Sequence, residues 1–128
     1  MPLHRLEHVL VLTDDLEATK TFYCEVLGFD AGDRPPLEFP GYWLHLDGVP
    51  CVHVAERAAY EAHAASLGLR PTQPPIDHVA FAADDYGELA ARLEAAGVEA
   101  VTNAVPAAGL RQLFLADPNG VRIELNVR

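Results

Sequence analysis

An internal repeat with an offset of 70 residues limits the folds that this chain can adopt. The segment HVLVLTDDL at residues 8–16 recurs as HVAFAADDY at residues 78–86. Each copy is an apolar run that ends in Asp-Asp, a pattern typical of a strand followed by the N-cap of a helix. The repeat indicates that one supersecondary unit is used twice, so the two halves predict each other's structure.

A helix is predicted directly after the repeated segment in both copies. At residues 15–27 and 85–96, apolar side chains recur at helical spacing. Gly28 and Gly97 follow these stretches and supply C-terminal stops. Because the two glycines are 69 residues apart, the repeat extends through the helix almost in register.

Three short strands are predicted after each helix. They lie at residues 29–33, 41–47 and 49–55 in the first copy, and at residues 98–102, 110–116 and 121–127 in the second. Sequences typical of tight turns join the last two strands of each copy, Asp-Gly at 47–48 and Asp-Pro-Asn-Gly at 117–120. The predicted fold class is α+β, with two βαβββ modules that form a curved mixed sheet around a cleft.

A proline-rich linker separates the two copies. Residues 56–70 are rich in alanine and could form a helix that ends at Gly68, and PTQPP follows at residues 71–75. We expect the first module and its trailing helical segment at residues 1–70. The linker and the second module then occupy residues 71–128, and both modules together form one domain.

The net charge of −10 excludes several partners. Only nine lysines and arginines are present, which argues against binding to nucleic acid or to an anionic membrane. No apolar run approaches the roughly 20 residues that cross a bilayer, and the N-terminus lacks the features of a signal peptide. We therefore expect a cytoplasmic protein, in which Cys24 and Cys51 are free thiols.

Strand alternation places four polar side chains on one face of the predicted sheets. His8 and His78 are equivalent positions of the two opening strands, and His53 and Glu124, 71 residues apart, are equivalent positions of the two closing strands. Imidazole and carboxylate together suit a divalent transition metal such as Fe, Mn, Ni or Zn. His8, His78 and Glu124 would leave coordination positions open for substrate, and His53 would make a fourth ligand. The cleft is thus predicted to bind metal.

Further side chains on the same face are candidates for contact with a substrate. Trp43 and Phe114 could line a pocket or fill the core, and His45 could be a hydrogen-bond partner of a metal ligand, a general base or a solvent-exposed histidine. Gln112 and Arg122 complete the predicted substrate-binding set. A small molecule is the expected partner.

Three segments together are similar to a known family. They are the opening His8 with its Asp-Asp, TFYCEVLGF at residues 21–29 and DPNGVRIEL at residues 117–125. They resemble the glyoxalase/bleomycin-resistance/dioxygenase group, the vicinal-oxygen-chelate superfamily. The resemblance implies that two βαβββ modules form a metal-holding cup, often within a homodimer. The family's four ligand positions match His8, His53, His78 and Glu124.

Departures from the family's subgroups bear on the reaction. Glyoxalase I relatives typically carry glutamates at both closing-strand positions, whereas the first is His53 here. Extradiol dioxygenases carry a tyrosine ten residues before the ligating glutamate, whereas this chain has Phe114. Bleomycin-binding relatives are acidic dimers without metal, so that the charge fits them and the candidate ligands do not.

The function predicted from the sequence is that of a divalent-metal-dependent enzyme. It would act on a small oxygenated substrate bound through adjacent oxygens, with Glu124 and His53 as catalytic residues. The prediction leans towards a dioxygenase, because the triad is complete and the paired glutamates are not. The alternatives are a glyoxalase-type isomerase or lyase, and a metal-free drug-binding protein of the bleomycin-resistance type.

Overall fold

The structure is a computed structural model that describes residues 5–34, 37–72 and 76–128. The chain divides into two compact units, residues 1–73 and residues 74–128, hereafter the first and second unit. No helix among the described residues is long and apolar enough to cross a membrane.

The first unit contains one four-stranded mixed sheet and two helices. Its elements are β1 (Val9–Thr13), α1 (Leu16–Thr21), β2 (Asp30–Gly32), β3 (Gly41–Leu46), β4 (Val49–Glu56) and α2 (Arg57–Ser66). The helix α1 continues into a π-helical turn, Phe22–Val26. The strand order is β1-β4-β3-β2, in which β1 and β4 are parallel and the other pairs are antiparallel.

The second unit repeats this topology. Its elements are β5 (His78–Ala83), α3 (Tyr86–Ala95), β6 (Val101–Val105), β7 (Leu110–Ala116) and β8 (Arg122–Val127), with a short 3₁₀ turn at Pro106–Ala108. The strand order is β5-β8-β7-β6, again with the outer opening strand parallel to the closing strand. The predicted α+β class with two βαβββ modules is confirmed.

The repeated Asp-Asp pairs begin the two helices as predicted. The Asp15 carboxylate accepts a hydrogen bond from the backbone N–H of Ala18, and the Asp85 carboxylate accepts one from the N–H of Glu88, both at 3.0 Å. These bonds satisfy N–H groups that have no partner within a helix. Gly97 follows α3 with φ of 69°, the left-handed conformation that glycine adopts without strain.

The strand β6 lies three residues later than the sequence predicts, at Val101–Val105 instead of 98–102. The reason is the end of α3, where the backbone N–H of Val98 donates to the carbonyl of Leu93 at 2.9 Å. This bond holds Val98 in the helix-terminating turn. Pairing with β7 then begins at Val101, which lies opposite Phe114.

The apolar faces of both sheets are buried as alternation predicts. Side chains that point away from the candidate ligands form the cores of the two units: Val11, Leu44, Val52 and Val54 in the first, and Leu113, Leu115, Ile123 and Leu125 in the second. The opposite face of each sheet carries the histidines and the glutamate, so the fold fixes which side of each strand holds the candidate site.

Candidate metal centre

The register of the second unit brings His78 and Glu124 together. The parallel pairing places His78 opposite Arg122, two residues before Glu124, so that Glu124 is its diagonal neighbour on the same face. The His78 Nε2 and Glu124 Oε1 atoms are 3.7 Å apart. Two ligands of one ion lie at most about 4.2 Å apart, because each is about 2.1 Å from the metal. This pair is therefore spaced as two ligands of one ion would be.

An acidic residue, Asp77, is hydrogen-bonded to the Nδ1 nitrogen of His78. The Nδ1 atom of His78 is 2.9 Å from Asp77 Oδ2, and Arg122 Nη1 donates to the same oxygen at 3.0 Å. The hydrogen bond with His78 and the charge of Arg122 lower the pKa of the Asp77 carboxyl. A carboxylate on Nδ1 sets the tautomer that leaves Nε2 as the metal-binding nitrogen.

The same arrangement recurs at His8 in the first unit. Its Nδ1 atom is 3.0 Å from Glu7 Oε1, so Glu7-His8 matches Asp77-His78 in sequence and in contact. The His8 ring lies edge-on to Trp43 at 5.6 Å and to His53 at 6.2 Å between ring centroids. Both opening-strand histidines are thus oriented by the acidic residue that precedes them.

His53 is held by rings instead of by a carboxylate. Its side chain is only 6% exposed and stacks on Trp43 at 5.1 Å, with Phe39 tilted against it at 5.8 Å. Burial, together with the charges of Arg34 and His8, lowers the pKa of His53 to about 4. His53 is therefore a neutral imidazole at pH 7. Its Nε2 has no hydrogen-bond partner among the described residues.

The donor set fits a divalent metal. The candidate ligands supply neutral imidazole nitrogens and one carboxylate, a combination that suits Zn, Fe, Mn and Ni. Among residues 5–34, 37–72 and 76–128, no three or more His, Cys, Asp or Glu side chains form a group that could hold an ion. The structure thus brings the predicted ligands together as two pairs, one in each unit.

Neither cysteine adds a metal ligand to the His8–His53 pair or to the His78–Glu124 pair. Cys24 and Cys51 are free, as expected, and burial raises the pKa of both thiols. A thiol that keeps its proton at neutral pH is a poor metal ligand, because the thiolate is the binding form.

Two of the predicted substrate contacts line one cavity in the second unit. Phe114 and Arg122 border a cavity of about 590 Å³ together with Glu99, Ala100, Val101, Leu115, Ala116 and Gly120. Phe114 lies directly opposite Glu124 in the β7–β8 register, so the cavity reaches the cross-strand neighbour of a candidate ligand.

The other predicted substrate contacts are engaged within the protein. Gln112 uses both groups of its amide in hydrogen bonds with Asn103 and Asn126. The half-buried His45 lies so close to Gly32 that a Cβ atom there would be 2.3 Å from its Nε2. Trp43 is occupied by its stack with His53.

Residues 5–125 match the family model described as the Glyoxalase/Bleomycin resistance protein/Dioxygenase superfamily. The chain belongs to this superfamily. The match spans both units, including both pairs of candidate ligands.

Individual relatives agree with this assignment. The chain is 33% identical over 129 residues to Glyoxylase I 4 of Arabidopsis thaliana, covering 97% of this chain and 72% of that protein. Its fold is similar to that of lactoylglutathione lyase from Agrobacterium tumefaciens, with a TM-score of 0.73 at 19% identity and coverage of 99% and 96% of the two chains. It is also similar to TnmS3, an antibiotic binding protein from Streptomyces sp. CB03234, with a TM-score of 0.71, 26% identity and coverage of 99% and 98%.

Sequence reasoning missed four residues that contact or influence the candidate ligands. Glu7 and Asp77 could have been found, because an acidic residue precedes the histidine in both copies of the repeat. Phe39 and Arg34 have no such signal. They lie between β2 and β3, where Arg34 Nη2 donates to the Phe39 carbonyl at 2.5 Å.

Proposed function

We propose that the protein is a divalent-metal-dependent enzyme whose substrate is a small molecule that binds through two adjacent oxygens. His8, His53, His78 and Glu124 would hold the metal. The observation that carries the proposal is how neighbouring residues hold these four side chains and which of their atoms remain without a hydrogen bond. Within the described part of the chain, each histidine keeps one ring nitrogen and Glu124 one oxygen without a hydrogen bond, while neighbouring groups fix the rest of the side chain.

The metal, when bound, would act as a Lewis acid that stabilises negative charge developing on a substrate oxygen. The protein's own residues would transfer the proton and exclude water. Glu124 Oε1, when not bound to the metal, would accept the proton from the carbon next to the substrate carbonyl and return it to the carbonyl carbon, while the substrate's hydroxyl proton would pass between its two adjacent oxygens. Phe114, opposite Glu124, would exclude water from this position, and Arg122 would border the same cavity.

The packing of His53 favours isomerase or lyase chemistry over the dioxygenase chemistry towards which the sequence leans. If His8, His78 and Glu124 alone held the metal, as dioxygenase chemistry favours, His53 would move aside and act as a base. The imidazole instead stacks on Trp43 and is tilted against Phe39, and these two ring contacts hold it in place. Glu124 is then the better candidate base. The similarity to a relative named Glyoxylase I 4 supports the same choice.

A drug-binding protein without metal is the second candidate function. The likeness to an antibiotic binding protein and the net charge of −10 favour it, because an acidic surface attracts a cationic drug. The two functions differ in their dependence on metal. A binder retains its affinity for a drug such as bleomycin after chelation, whereas the enzyme loses activity.

The decisive experiment measures metal in protein purified without a histidine tag. Wild type is expected to contain about one divalent ion per chain, and Glu124→Gln about tenfold less, because an amide oxygen is a weak replacement for a carboxylate. Glu94→Gln, on the exposed face of α3, makes the same change in charge and should retain the metal. Equal metal content in wild type and Glu124→Gln, measured by elemental analysis, would refute the site.

A further inference from the structure

Three side-chain amides form a continuous hydrogen-bonded chain across the sheet of the second unit. Asn103 on β6 donates through Nδ2 to Gln112 Oε1 on β7 at 2.8 Å. Gln112 donates through Nε2 to Asn126 Oδ1 on β8 at 3.1 Å, and Asn126 donates through Nδ2 to Glu124 Oε2 at 2.8 Å. The three amides are direct cross-strand neighbours, so the register of the sheet creates the chain.

The ionised carboxylate of Glu124 fixes the direction of every bond in this chain. A carboxylate can only accept hydrogen bonds, so Asn126 must turn its NH₂ group towards it. The carbonyl of Asn126 then faces Gln112, which must donate, and the carbonyl of Gln112 faces Asn103 in turn. Bonds aligned in one direction polarise one another, which strengthens the final bond to Glu124.

The first unit has no such chain at the equivalent positions. His53 is the repeat mate of Glu124, and the pair Gly41 and Ala55 occupies the register position of Gln112 and Asn126. Neither glycine nor alanine has a side-chain amide. The amides of Gln112 and Asn126 are therefore present in the unit whose closing strand carries Glu124. Their equivalents are absent in the unit whose closing strand carries His53.

We propose that Asn126, Gln112 and Asn103 are positioning residues for Glu124. The inference rests on the proposed role of Glu124 as metal ligand and proton carrier. The chain holds Oε2 and leaves Oε1 directed towards His78 Nε2, 3.7 Å away. Gln112, a predicted substrate contact, thus acts through Glu124 and not on the substrate.

Replacing the far end of the chain with an acceptor tests its direction. In Asn103→Asp, the chain has a carboxylate at each end, and both carboxylates can only accept hydrogen bonds. The amides of Gln112 and Asn126 form a chain with one direction, so they cannot donate to both ends at once. Asn103 is exposed on β6 and aspartate has the same shape, so this variant should fold. Thr102→Asp, one residue away on the opposite face of β6, adds the same charge and is the matched control.

Two measurements report the outcome. In metal-free protein, Asn103→Asp should shift the NMR signals of the Gln112 and Asn126 side-chain amides, and Thr102→Asp should leave both in place. In a titration with Co(II), Asn103→Asp should weaken binding about tenfold, the usual effect of disturbing a hydrogen bond to a metal ligand. Screening by salt should hold the effect of the control charge to about twofold.

Unchanged Asn126 signals and unchanged Co(II) affinity in Asn103→Asp would overturn the inference, and so would an equal effect of Thr102→Asp. Gln112→Leu provides an independent check, because it interrupts the chain without adding charge and should also weaken Co(II) binding. A wild-type protein that binds no Co(II) would contradict the proposed function instead. The Asn126 signal in Asn103→Asp would then still decide whether the chain controls the contact with Glu124.

Discussion

Four buried side-chain nitrogens have no hydrogen-bond partner among the described residues, and all four lie in the first unit. They are Arg34 Nε, Trp43 Nε1, His45 Nε2 and His53 Nε2. An unsatisfied buried polar group costs about 1–3 kcal/mol of stability. For His53, the proposed metal site explains why the cost is tolerated. The nitrogen that lacks a partner, Nε2, is the atom that would bind the metal.

Replacing His53 should separate stability from metal binding. His53→Leu keeps an apolar group between Trp43 and Phe39 and removes the unsatisfied nitrogen, so the metal-free protein should gain about 1 kcal/mol in its free energy of unfolding. The same variant should bind Zn(II) at least about tenfold more weakly. Urea unfolding and competition with a chelator measure the two quantities.

His45→Leu is the matched control for this prediction. It also removes a buried nitrogen without a partner, but His45 is not among the proposed ligands. Its affinity for Zn(II) should equal that of wild type. Equal losses of affinity in the two variants would show that His53 acts only through packing.

The proximity of His78 to Glu124 and of His8 to His53 could be predicted from the sequence, because alternation and the repeat constrain each other. His8 predicts His78 at an offset of 70 residues, and an offset of 71 links His53 to Glu124. The amide chain could not be predicted, because it depends on the register of three strands at once. Phe39 could not be predicted either, because it lies in the connection between β2 and β3, where no strand or helix periodicity fixes the direction of its side chain.

At the scale of elements, the two copies of the Asp-Asp pair use different backbone conformations. Asp15 is extended with φ of −139°, whereas Asp85 is left-handed with φ of 55°. Both carboxylates make the same capping bond. The two Asp-Asp pairs are identical in sequence but differ in backbone strain. Asp85 is the strained residue, because a residue with a Cβ costs about 1–2 kcal/mol in the left-handed region.

Alanine substitution at the two caps should expose this difference. Asp15→Ala should cost about 1 kcal/mol of stability through the lost capping bond. Asp85→Ala should cost about 1 kcal/mol more, because alanine tolerates the left-handed conformation less well than aspartate. Asp85→Asn should be nearly neutral, since asparagine caps helices and adopts this conformation readily. Equal costs for the two alanine variants in urea unfolding would contradict the argument.

Element boundaries were less predictable than element order. The order of strands and helices follows from apolar spacing and from turn residues, and it is confirmed in both units. The start of β6 depends on how α3 ends, which is a backbone hydrogen bond that leaves no pattern in the sequence. The π-helical turn at Phe22–Val26 is hidden for a similar reason, because its apolar spacing resembles that of an α-helix.

At the scale of the whole molecule, two large apolar side chains at equivalent positions remain exposed. Leu6 precedes β1 and Ile76 precedes β5, and they are 84% and 74% exposed. Burying a side chain of this kind contributes about 1.5–3 kcal/mol. A second copy of the chain that covers both residues would gain this free energy, which supports the homodimer predicted from the sequence.

The homodimer is therefore expected to depend on these two positions. Sedimentation equilibrium should give twice the mass of the 13.9 kDa chain. Leu6→Ser combined with Ile76→Ser should weaken the dimer at least about tenfold, since the lost burial exceeds the 1.4 kcal/mol that a factor of ten requires. Val49→Ser is the control, because Val49 is also exposed, at 51%, but has glycine as its repeat mate at position 120. A wild-type monomer at every concentration would contradict the prediction, and equal weakening by Val49→Ser would remove Leu6 and Ile76 from the interface.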